Sequence, residues 1–181
     1  MSLEVRFEAA EMGDFAAVNR LARQVHELHV SWRPDIYRKT EFPISQEDFR
    51  NLVSRRELYV LRDVGGPVAY GRISTLSMDR PGLVPRSILR LEELCVDASH
   101  RRAGLGRRLM VRLFALGRSF GCTDVQLTCD PHNAPGMAFY ESLGMGVKTV
   151  QYQMKLSYQS CEPSKKACSP PWSPCALPAE T

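Results

Sequence analysis

The chain has 181 residues, enough for one domain with a sizeable core. With 44% apolar and 24% charged residues its composition is that of an ordinary globular protein, which excludes collagen-like, low-complexity and disulfide-scaffold classes. A formal net charge of +4 is too mild for a nucleic-acid track, and no apolar run approaches a membrane span, so the expectations are a cytoplasmic chain with no membrane and no nucleic-acid partner.

Leu3 to Glu8 alternates apolar and charged residues, a first strand by its period of two. A helix follows from Met12 or Gly13, its stripe made by Phe15, Val18, Leu21, Ala22, Val25 and Leu28, with Asp14 as N-cap or in the first turn. Pro34 ends it, because proline lacks the N–H and disfavours helix just before itself. Ser45 opens a short second helix with Phe49, Leu52 and Val53 as its apolar face. Glu57 to Asp63 and Pro67 to Met78 read as strands joined at Val64-Gly65-Gly66, a hairpin signal, and 79–85 is a loop.

Leu89 to Val96 suits a buried strand, and Leu105, Leu109, Val111, Leu113, Phe114 and Leu116 recur at roughly helical spacing up to the stop at Gly121. Thr123 to Cys129 alternates as another strand, Asn133 to Leu143 reads as a helix closed by Gly144, and Val147 to Leu156 is the final strand. From Ser157 onward five prolines, few apolar residues and no period make a flexible tail, leaving 1–156 as the domain and 157–181 outside it. Cys95, Cys122 and Cys129 fall in or beside strands, the usual place for free buried thiols, and no cysteine or histidine has metal-site spacing, so no metal is expected.

Between the strand ending at Val96 and the helix from Leu105 lies Arg101-Arg102-Ala103-Gly104-Leu105-Gly106. Six arginines and no acid stand between His100 and Phe120. A basic, glycine-containing loop at a helix start aims free N–H groups and a helix dipole at one point, which suits a phosphate or pyrophosphate. It is neither of the common phosphate loops. No Gly-Lys-Ser/Thr run occurs, and Leu109 stands where a dinucleotide fingerprint needs its third glycine.

Arg101-x-x-Gly104-x-Gly106 resembles the acetyl-CoA signature of the GNAT acetyltransferase superfamily, Arg/Gln-x-x-Gly-x-Gly/Ala. One helix and one strand later, Asn133-Ala134-Pro135-Gly136-Met137-Ala138-Phe139-Tyr140-Glu141-Ser142-Leu143-Gly144-Met145 is similar to the family's Asn-x-x-Ala-x-x-Phe-Tyr-x-x-x-Gly-Phe, with Gly136 for alanine and Met145 for phenylalanine. The resemblance covers residues 3–156. It implies an α/β (α+β) fold, a single mixed, mostly antiparallel sheet flanked by helices, with acetyl-CoA as cosubstrate.

The resemblance implies roles residue by residue. The strand before the loop splays from the next one, and the pantetheine arm pairs with the backbone of Leu94, Cys95 and Val96. Arg101, Arg102, Ala103, Gly104, Leu105, Gly106 and Arg107 hold the pyrophosphate; Asn133 and Tyr140 line the cofactor; an N–H near Leu94 is the candidate oxyanion donor. Only about 0.04% of an alkyl amine of pKa near 10.4 is neutral at pH 7, so a carboxylate is needed to take its proton. Glu92 and Glu93 are adjacent and, on a regular strand, face opposite ways. Glu92 is the candidate base, because Leu91-Glu92-Glu93-Leu94-Cys95-Val96 is similar to the Leu-Glu-Asp-aromatic-aromatic-Val of polyamine-type members, and Tyr140 is the candidate acid for the departing thiolate. The acceptor is a small-molecule or peptide amine. The family builds its acceptor site from the first two helices and their connection, here with Trp32 and Tyr37 as an aromatic wall, Asp35 or Glu41 offering charge, and Glu93 beside them. The expected activity is N-acetylation by direct transfer in a ternary complex, with room for a homodimer; a non-catalytic acyl-CoA sensor on the same fold is the alternative.

Overall fold

The computed structural model describes residues 4–154. Strands β1 (Arg6–Ala9), β2 (Leu58–Asp63), β3 (Gly66–Met78), β4 (Arg86–Val96) and β5 (Asp124–Leu127) form one sheet in that order. The first four are antiparallel neighbours, and β5 lies parallel to β4. A parallel neighbour needs a crossover, which helix α3 (Leu105–Ser119) supplies. The other helices are α1 (Phe15–Trp32), α2 (Gln46–Ser54) and α4 (Ala134–Glu141).

Strand alternation divides the core into two layers. On one face Val18, Leu21 and Ala22 of α1 and Phe49 of α2 pack on Leu58, Val60, Tyr70 and Cys95. On the other, Leu105, Leu109, Met110 and Leu113 of α3 pack on Leu61, Ala69, Ile73, Leu89 and Leu91, with Phe139, Tyr140 and Leu143 from the α4 region beside them. Gly71 lets α3 come close: a Cβ there would stand 2.9 Å from the Leu113 Cδ1. Each buried Leu or Val in these layers contributes about 1.5–3 kcal/mol.

Most expected elements form within a residue or two of their expected bounds. Leu3 lies outside the described residues, and the first strand starts only at Arg6, leaving Glu4 and Val5 outside it, and runs one residue past Glu8; β4 begins at Arg86, three residues before the expected Leu89. Ser45 is the N-cap of α2, its Oγ accepting from the Asp48 N–H at 3.0 Å. Asp14 stands at the N-cap position of α1, as expected, but its side chain makes no capping bond to that helix. Its carboxylate accepts from the Glu11 N–H and from Arg62, which also reaches Glu8, so it ties β1, the following turn and β2 together.

Two expectations need correction. The strand expected over Thr123 to Cys129 spans only Asp124–Leu127, because its ladder with β4 stops at Leu127. The expected final strand does not form: residues 147–154 carry no helix or strand. Alternation gives a period but supplies no partner for a ladder, and no such partner is present there among the described residues. Residues 155 and 156, and the tail expected over 157–181, lie outside the described residues. The chain divides into a unit of residues 1–146, which holds every element above, and a second from 147 onward.

Candidate active site

The site grows from one irregularity in β4. Its register against β3 pairs Arg72 with Glu93 and Ile73 with Leu91, so Glu92 is an extra, unpaired residue, a β-bulge. The bulge overturns the expectation that Glu92 and Glu93 face opposite ways. The Ser74 hydroxyl donates to Glu92 Oε1 at 2.6 Å, and Arg72 approaches Glu93 at 3.9 Å. Arg72 and Ser74 are two apart on one strand and share a face. Both glutamates therefore lie on the α1/α2 side. Glu92 also has Arg90 Nε at 3.5 Å.

The ladder between β4 and β5 covers Ile88–Leu91 against Asp124–Leu127 and ends at the bulge. Beyond it the β5-side lip of β4 has no strand partner among the described residues. Asp97 N–H pairs back to Val68 on β3, so by alternation the backbones of Leu94 and Val96 point the other way, into the opening. The Val96 carbonyl is taken there by Arg101 Nε at 3.1 Å. Cys95 points under α1, and burial pushes its thiol up to about 12.

The loop entering α3 is strapped to α1. Asp97 accepts from Arg20, from Ser99 N–H at 3.1 Å and from Ser99 Oγ at 2.8 Å, while Gln24 Oε1 accepts from Ala98 N–H at 2.9 Å. Burial alone would raise the Asp97 carboxyl, but the Arg20 and Ser99 bonds outweigh it and hold it well below the usual range. Nothing in the sequence pattern marks Arg20 or Gln24; Asp97-x-Ser99 is the one local signal, that of an Asx turn. Arg102 (φ 65) and Gly104 (φ 77) are left-handed and turn the chain into α3. The first hydrogen bond of α3 is Arg108 N–H to the Gly104 carbonyl, which leaves the N–H groups of Leu105, Gly106 and Arg107 pointing out of the helix start.

Two expected ligand-holding groups have structural duties. Gly106 is pressed by α4, since a Cβ there would meet Phe139 Cζ at 3.3 Å. Arg107 Nη2 donates to the Ser142 carbonyl at 3.0 Å and ties α3 to the end of α4. Arg101 is likewise engaged through Nε, as above, while Arg102 and Ala103 are exposed. Asn133 is the N-cap of α4, its Oδ1 accepting from Gly136 N–H at 3.0 Å. A Cβ at 136 would fall 2.4 Å from Asn133 Nδ2, so a side chain there would make the Asn133 amide shift. Tyr140 is partly buried beside Phe139, and burial, with the Cys129 thiol nearby, pushes its phenol up to about 12.

Trp32 and Tyr37 are both half-buried. Both rings lean on His29, at 5.8 and 5.0 Å, and Tyr37 also meets His26 edge-on. Asp35 is held by Arg33 through two bonds of 2.9 Å. The Glu41 side chain lines a cleft of about 580 Å³ with His26, Val30 and Lys39. Arg33 does place this loop near the far lip of the opening: Asp130, after β5, is lowered chiefly by the His132 N–H, with a smaller contribution from the Arg33 cation. Among the described residues no group of His, Cys, Asp and Glu could hold a metal, and no helix is long and apolar enough to cross a membrane.

Comparison with known proteins identifies the family that shares this fold. The chain matches the acetyltransferase (GNAT) family over residues 22–145 and belongs to it. It is 37% identical to glucosamine 6-phosphate N-acetyltransferase of Trypanosoma brucei brucei over 71 residues, 39% of this chain and 46% of that one, so the match spans under half of that relative. A tetramutant of the BH1408 protein from Bacillus halodurans superposes with a TM-score of 0.79 at 28% identity, over 83% of this chain and 99% of that one. A Trypanosoma brucei acetyltransferase gives 0.62 at 25% identity, over 84% and 100%.

Proposed function

We propose that the chain is an acetyl-CoA-dependent N-acetyltransferase that joins the acetyl group directly to an amine in a ternary complex. The observation that carries this is the interrupted β4/β5 ladder. Backbone groups of Leu94 and Val96 open into the gap just ahead of the unpaired N–H groups at the start of α3. Such a lip suits an amide-bearing arm, and the helix start with Arg101 and Arg102 suits a pyrophosphate. When bound, acetyl-CoA supplies an activated acetyl group as a thioester.

The protein's own residues then divide the work. The Leu94 N–H, on the gap side, is placed to donate to a developing oxyanion. Glu92, on the α1/α2 side of the bulge, accepts the proton of the incoming ammonium, directly or through water. Ser74 and Arg90 hold its carboxylate in place. Tyr140, raised to about 12, stays protonated at neutral pH and so has a proton to give to a leaving thiolate. Among the described residues the thiols of Cys95, Cys122 and Cys129 are free, which fits a reducing cytoplasm.

Calorimetry with acetyl-CoA tests the reading. Wild type binds in the micromolar range, and Gly104→Val, which forces a β-branched residue to φ 77, weakens binding at least tenfold. No binding by wild type refutes the proposal. Glu92→Gln with unchanged turnover removes the base assignment, and Tyr140→Phe with normal rates removes the acid.

A further inference from the structure

On the α1/α2 side of the bulge, three buried polar atoms have no hydrogen-bond partner: the Tyr70 hydroxyl, Arg72 Nε and Glu93 Oε2. They are neighbours, since Tyr70 and Arg72 lie two apart on β3 and Glu93 is the cross-strand partner of Arg72. The Tyr70 hydroxyl faces the Glu93 carboxylate, which also forms a long ion pair with Arg72 at 3.9 Å, so the donors left over in this group are those of the Arg72 guanidinium. Arg72 also lines a pocket of about 200 Å³ with Arg55, Asp48, Glu57, Ile44 and Leu52. Its guanidinium makes no hydrogen bond among the described residues, and its nearest charge, Glu93, stands 3.9 Å away, beyond hydrogen-bonding range. Arg55 is exposed, and among the described residues it forms no ion pair. Asp48 is engaged with the Ser45 hydroxyl at 2.7 Å.

We infer that this pocket seats a compact oxyanion carried by the amine acceptor, so that the acceptor is a zwitterion rather than a polyamine. Resting on the acetyltransferase reading, the inference follows from charge and position. A guanidinium presents a planar fork of donors that matches a carboxylate or phosphate. Two arginines against two acids make the pocket neutral overall, which favours neither a polycation nor a polyanion. With its oxyanion on Arg72, an acceptor extends its amine along β4 toward Glu93 and the bulged Glu92, at the edge of the opening.

The test is calorimetric titration, in the presence of CoA, of matched pairs: glucosamine 6-phosphate against glucosamine, and β-alanine against β-alaninamide. In wild type the anionic member of at least one pair binds ten times more tightly or better than its neutral partner, and the pair that shows it tells phosphate from carboxylate. Arg72→Lys keeps the charge but loses the fork; it weakens the anionic member about tenfold and leaves the neutral one unchanged. Arg55→Gln, at an exposed position, does the same to a smaller degree and serves if the Arg72 variant does not fold. If no anionic compound outbinds its neutral partner, or if the variants weaken both alike, the inference is overturned. Acetyl-CoA binding measured on the same samples separates the cases: intact binding without anion preference refutes this inference alone, and absent binding refutes the parent reading.

Discussion

Asp97→Asn isolates the strap between α1 and the loop that enters α3. Asparagine keeps an oxygen for the Ser99 N–H and hydroxyl, so what disappears is the charge toward Arg20. The Asp97 side chain is only 9% exposed but Arg20 is 53% exposed, which places the interaction between a surface pair and a buried one. A hydrogen bond to a charged group contributes about 1.5–3 kcal/mol, and a loss of about 2 kcal/mol is the expectation here. For a chain of this size that lowers Tm by roughly 4–8 °C. The sign of the pH dependence follows from the depressed carboxyl. Its contribution is complete above the unfolded pKa of about 3.9 and is lost as pH falls below it. Urea unfolding from pH 8 to 2 should therefore show a constant gap between wild type and variant down to about pH 4. Below that the gap closes at about 1.4 kcal/mol per pH unit. A gap as wide at pH 3 as at pH 7 would falsify the charge argument and leave a purely steric effect.

Two further outcomes are expected. Arg56 sits at φ 55 after α2, in a turn where its N–H reaches the Val53 carbonyl and the Glu57 N–H reaches that of Leu52. Such a turn favours glycine, so Arg56→Gly stabilises by about 0.5 kcal/mol, a rise in Tm of roughly 1–2 °C; a clear fall means the arginine side chain has a role of its own. Cys95 is 3% exposed and its thiol is pushed up to about 12, so only about one molecule in ten thousand carries the thiolate at pH 8. Mass spectrometry after iodoacetamide treatment of the native protein should find Cys95 unmodified, and prompt alkylation would contradict its placement under α1.

The legible parts of the sequence were those written in local signals. Ser45 and Gly121 mark helix ends because a cap is set by one residue's geometry, and the Gly104-x-Gly106 loop is where it was expected because a left-handed turn and a tight helix contact both exclude most side chains. The bulge at Glu92 left no trace. An extra residue in one strand is defined only by its partner, and β3 lies ten or more residues back in the chain. For that reason two adjacent glutamates read as opposite-facing and are not. Trp32 and Tyr37 were recognisable as aromatic but not as companions of His29, since their neighbours come from the path of the loop after α1. The last strand failed for a related reason: Val150, Tyr152 and Met154 alternate, but period alone cannot provide a ladder.

The open lip of β4 also bears on how this protein can change over time. What it offers is main chain, and main chain is the same whichever side chains Leu94 and Val96 carry. Substitution at those positions alters packing against α3 while leaving the peptide groups in place, so the lip can survive long divergence in sequence. Only a few changes abolish it: a proline at either position, or a shift in register that removes the bulge. A feature held in this way is inherited with the fold, and that leaves the side chains around it free to drift.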